Sequence, residues 1–157
     1  MLATITAYGV GLFIHILAVV LAFGPTFGYG FFFSVVPEHP RATPAILAGI
    51  QKVDRYLSLP GALVVLVAGI YVMAKGSWDG GELFIVVGFI AILLLLGLQH
   101  AFFVPQVRRA RALAERDLAD GGTLSDEFTA LGQRIGRVGS LAGLAVVVTI
   151  FFMTVKP

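Results

Sequence analysis

Four apolar stretches free of Asp, Glu, Lys and Arg constrain this chain more than any other feature: residues 3–36, 57–74, 83–104 and 138–155. One helical crossing of a bilayer takes about 20 apolar residues. Apolar residues make up 58% of the chain and charged residues only 13%. A soluble domain of this length leaves too much surface in water to hide so much apolar area. The expectation is an all-α membrane protein, a four-transmembrane-helix bundle.

The first stretch exceeds what a bilayer needs, so it must tilt, break or protrude. Pro25, between Gly24 and Gly28, is where a kink is expected, because proline removes an intrahelical bond and clashes with the preceding turn. Residues 1–20 lack a basic leader and a small-x-small cleavage site, so they read as part of this segment. Val36-Pro37 ends it. Thr43 reads as an N-cap with Pro44 at the first helical position. Ile46, Ile50, Val53 and Leu57 then recur at helical spacing, an amphipathic lead-in to the second segment.

Tyr71 and Trp78 fit an aromatic belt around the turn at 75–81. The third segment again ends Val-Pro, at Val104-Pro105. Residues 105–120 read as a charged surface helix with Arg111 and Glu115 spaced to pair. Gly121-Gly122 breaks it, and Ser125, or Thr123 with Asp126, offers a new cap. Leu124, Phe128, Leu131, Ile135 and Val138 form a second amphipathic lead-in.

One stretch occurs twice. Gln51-Lys52-Val53-Asp54-Arg55 through Gly61 matches Gln133-Arg134-Ile135-Gly136-Arg137 through Gly143, and both copies run into an apolar segment. The bundle is therefore expected to be built from two parallel two-helix repeats, 1–75 and 82–157, with amphipathic cytoplasmic helices. A pseudo-twofold axis would lie along the membrane normal. Three Lys/Arg follow the first segment and six follow the third, against Lys75 and Lys156 on the other side. The positive-inside rule places the basic loops in the cytoplasm and both termini outside, in the cell's inner membrane.

Chemistry-bearing residues are few. There is no cysteine, hence no disulfide or thiolate site. No phosphate loop, dinucleotide fingerprint, metal cluster or nucleophile triad occurs. Topology accounts for the basic excess, so nucleic acid is not an expected partner. The expected partners are the lipid bilayer and either further copies of the chain or a larger membrane complex.

Two histidines fall within the apolar segments, where ionisable groups are costly. Ala7, Gly11, His15, Ala18 and Ala22 share one small-residue stripe. Such a stripe admits another helix, with His15 hydrogen-bonded across the contact. It would equally admit haem b against Gly11 and Ala18, with His15 as the iron ligand. His100 lies near the basic end, either as a second candidate or as an interfacial histidine. Helical rise separates it from His15 in depth, so a shared site is not expected. Lys52, Arg55, Arg134 and Arg137, with Gln51 and Gln133, form a rim that would hold anionic headgroups or a cofactor's carboxylates, or would serve topology alone. Gly24/Gly28, Gly132/Gly136 and Gly139/Gly143 are small-residue pairs for close helix packing.

The run Phe13-Ile14-His15-Ile16-Leu17-Ala18-Val19-Val20, followed by Phe23-Gly24, resembles the first helix of a small four-helix bacterial membrane family. It is more distantly similar to HemJ-type protoporphyrinogen oxidases and CopD-like copper-associated proteins. That resemblance implies haem or redox association through His15. Where the HemJ type has Leu-Pro-Arg-Leu-Phe, this chain has Gly24-Pro25-Thr26-Phe27-Gly28, so the oxidase activity is not implied. Three functions are in view: a haem-associated or redox-linked protein using His15, a non-catalytic accessory or assembly subunit, and a small-solute or lipid transport element. With no Asp or Glu in the four apolar segments, transport is the least expected of the three.

Overall fold

A computed structural model describes residues 6–76 and 78–156. All regular structure among them is helical: α1 (Ala7–Ser34), α2 (Thr43–Val53), α3 (Leu59–Lys75), α4 (Leu83–Leu98), α5 (Val104–Asp117) and α6 (Asp126–Val155). π turns at Asp54–Ser58 and Gln99–Phe103 join α2 to α3 and α4 to α5 without a break. The described residues thus form four long helices, each apolar enough to cross a membrane. The two middle ones have 36 and 35 residues, roughly 50 Å at helical rise. Both outreach a hydrocarbon core of about 30 Å.

The first segment is one helix. The Thr6 hydroxyl accepts from Gly9 N at 3.0 Å to cap it, and the helix continues through Pro25. The first residues of that segment, 3–5, lie outside the described residues. Thr43 is not the cap of α2: a 3-10 turn at Pro40–Ala42 precedes it, so its backbone is already helical and its hydroxyl is buried without a partner. Ser125 caps α6, accepting from Phe128 N, and Gly121 takes the positive φ that ends α5's trailing turn.

Val104-Pro105 does not end its helix. Both π turns sit just ahead of a proline, Pro60 and Pro105. Proline lacks an N–H and its ring presses on the carbonyl four residues back. Widening the turn by one residue relieves that clash and lets the helix continue.

Side-chain burial divides the molecule into two layers. In the apolar layer the interior holds small residues, Ala18, Ala22, Gly61, Ala62 and Ala68, while Phe13, Val67, Leu94 and Leu141 face outward. That is how helices pack in lipid, where close approach rather than water exclusion drives association. At the basic end the order is that of a soluble protein. Leu47, Ile50, Val107, Leu113, Phe128 and Leu131 form a closed core, and the charges lie outside it. The amphipathic helices therefore pack on one another as an extension of the bundle. In the apolar layer α1 packs chiefly on α3, and α4 on α6; α2 lies along α5 in the extension.

Candidate functional site

Two places in the bundle carry chemistry. The first is His15. Its Nδ1 lies 3.0 Å from the Val65 carbonyl on α3. A carbonyl only accepts, so Nδ1 carries the hydrogen and Nε2 carries the lone pair. Gly69 makes the approach possible: a Cβ there would stand 3.2 Å from His15 Cε1. The rest of the stripe is also taken up by α3. The Tyr71 ring covers Gly11, and Gly61 brings α3 against the Ala22 backbone. Ala18 is buried with Ala62 and Val65. The flat faces of Gly11 and Ala18 are therefore a helix–helix contact, and a macrocycle does not fit against them.

His100 bonds the Leu96 carbonyl of its own helix at 3.1 Å and is exposed in the second π turn. The structure does not bring the two histidines together. The basic rim is likewise dispersed. Arg111 donates to Gln51 at 3.3 Å and to Glu115 at 2.7 Å. Arg134 lies over the Phe102 ring and Arg55 over the Tyr56 ring. Lys52, Gln133 and Arg137 are exposed.

The second place is where the π turns meet, and sequence reasoning missed it. Asp54 is 9% exposed and Ser58 is 8% exposed. The Tyr29 hydroxyl of α1 donates to Asp54 Oδ1 at 2.8 Å. The Gln99 side chain approaches the same carboxylate. The Ser58 hydroxyl approaches Tyr29 but makes no hydrogen bond. No Lys or Arg pairs with Asp54 among the described residues. Beside this cluster is a cavity of about 40 Å³, lined by Thr26, Ser58 and Gln99 among apolar groups from α1, α3, α4 and α6.

The signal was present at Asp54. Leu47, Ile50, Asp54, Ser58, Gly61 and Val65 step by three and four along one face, so the carboxylate sits on the buried stripe. In the second copy of the repeated stretch its place is taken by Gly136. Among the described residues there is no group of three or more His, Asp or Glu able to hold a metal ion.

Fold and burial together define a polytopic α-helical integral membrane protein with a polar site between its helices. Residues 10–157 match the model of a family described as "Predicted integral membrane protein (DUF2269)", and the chain belongs to that family. No curated protein and no solved structure matches it.

Proposed function

We propose that this chain is a small membrane transport element in which Asp54 is the buried charge that meets a transported cation or a coupling proton. The observation that carries the reading is a carboxylate enclosed between helices with a tyrosine hydroxyl as its bonded partner and, among the described residues, no Lys or Arg paired with it. Such a group is costly to keep in an apolar interior and marks ion or proton pathways in membrane proteins. Two π turns at the same level add support, since helix irregularities concentrate at functional sites. In this reading the basic end faces the cytoplasm of an inner-membrane protein, with both termini outside. The two helical hairpins are then parallel repeats that enter from the same side.

The test is flux in proteoliposomes under imposed H⁺, Na⁺ and K⁺ gradients. Flux above protein-free vesicles, lost in Asp54→Asn, supports the reading. Wild-type vesicles as tight as empty ones under all three gradients remove it. Co-migration with a larger assembly on a native gel would then favour an accessory subunit.

A second reading, haem ligation by His15, is favoured by one feature. The Nδ1–H bond to Val65 leaves Nε2 unprotonated, which is how ligating histidines are commonly oriented. Gly11 and Ala18 take no part, because α3 covers them. A Soret band in gently purified protein that vanishes in His15→Ala would establish it, and a colourless preparation would dismiss it.

A further inference from the structure

The cavity beside the π turns leaves one buried hydroxyl without a partner. Ser58 Oγ is buried, has no hydrogen-bond partner and lines the cavity. Native interiors rarely leave such a hydroxyl unsatisfied, so its partner belongs in the adjoining space. Gln99 also lines that space. Its other neighbour is the Asp54 carboxylate. The Gln99 amide oxygen, Oε1, is a second neutral oxygen that the lining offers to an occupant of that space.

Charge and volume narrow the occupant. At about 10–15 Å³ per water-sized probe, 40 Å³ holds about three or four such spheres, too little for a larger organic solute. The neutral donors are oxygens, the atoms that hard cations take as ligands. Asp54 supplies one negative charge and has no Lys or Arg partner among the described residues. A divalent ion would leave a net positive charge in the apolar interior, and a monovalent ion would leave none.

We propose that this cavity is a monovalent metal-cation site, with Ser58 Oγ and Gln99 Oε1 as donors and Asp54 as the counter-charge. It rests on the reading of Asp54 as the working charge. A proton is the competing way to neutralise that carboxylate, and a water the competing partner for Ser58.

The experiment is thermal unfolding of the purified full-length chain in one detergent. NaCl, KCl or MgCl₂ replaces choline chloride at constant ionic strength. The midpoint should rise with the logarithm of Na⁺ or K⁺ concentration, as ligand linkage requires. Asp54→Asn should abolish the rise. Ser58→Ala, which removes one oxygen and little volume, should weaken apparent affinity by about tenfold. Equal midpoints in NaCl, KCl and choline chloride would overturn the site, as would a larger response to Mg²⁺. So would a Ser58→Ala response identical to wild type, which also covers the case of Asp54→Asn failing to fold. A cation-dependent shift without flux keeps this site and removes the transport reading. Flux without a cation-dependent shift does the reverse.

Discussion

The Tyr29 hydroxyl donates to Asp54 Oδ1 across 2.8 Å, and that bond ties the first helix to the turn where the second enters the bundle. Tyr29→Phe keeps the ring and removes only the donor. The buried carboxylate then loses its hydrogen-bonded partner, which is expected to destabilise the fold by about 1–3 kcal/mol. Asp54→Asn removes the charge that needs the donor. The double variant should therefore be less destabilised than the two single costs summed, with a coupling of about 1 kcal/mol or more. Unfolding of the four proteins in one detergent gives the cycle. Strict additivity would mean that the bond contributes nothing.

Glycines in this chain are not equivalent. A Cβ at Gly61 would lie 3.1 Å from Ala22 N and 3.1 Å from its Cβ, and helix backbone cannot swing aside. Gly61→Ala should force α1 and α3 apart at a cost of about 1–3 kcal/mol. Gly132 and Gly136 face open space within 4 Å, although they form one of the small-residue pairs and Gly61 does not. Alanine at either should be neutral or stabilising by up to about 1 kcal/mol, from helix propensity alone. Resistance to unfolding separates the two sets. Comparable losses at all three positions would show that Gly132 and Gly136 pack against something outside this chain.

The bond from His15 to the Val65 carbonyl dictates a tautomer. ¹⁵N chemical shifts of the neutral ring should report Nδ1 protonated and Nε2 bare. Gly69→Ala would crowd the ring at Cε1 and displace it by a few tenths of an ångström. That variant should weaken the bond and shift the Nδ1 resonance while leaving the helices intact. A ring protonated on Nε2 in wild type would contradict the contact.

What was legible in the sequence follows from how local each signal is. Four uncharged segments, the Ser125 cap, the Gly121-Gly122 break and the Arg111–Glu115 pair all depend on residues within a few positions of one another. The small-residue stripe through Gly11, His15 and Ala18 was equally plain, but its occupant was not. Whether α3 or a cofactor covers it depends on Gly61, Gly69 and Tyr71, some fifty residues away. The π turns were hidden because proline usually ends a helix, and only the geometry around Pro60 and Pro105 shows it being absorbed. Asp54 was passed over because it lies outside the uncharged segments. Its burial comes from Tyr29 and Gln99, which belong to other helices.

Asp117 fixes the turn between α5 and α6, and its pH response has a definite sign. Its carboxylate accepts from Ser125 N at 2.9 Å, from the Ser125 hydroxyl and from Arg116 at 2.7 Å. Those bonds favour the ionised form and lower its pKa from the ordinary 3.8 to about 2. A depressed folded-state pKa means stability that is fully present above the unfolded value and lost as pH falls through the folded one. Asp117→Asn should therefore unfold more easily than wild type at pH 7. The gap between them should stay level down to about pH 4 and close as pH approaches 2. Subtracting the two profiles removes the other carboxylates, which titrate in both proteins. Hydrogen exchange at the Ser125 amide gives a local reading of the same change. A gap that persists unchanged below pH 2 would mean that Asp117 acts there through its shape and neutral hydrogen bonds, and that its charge contributes nothing to the turn.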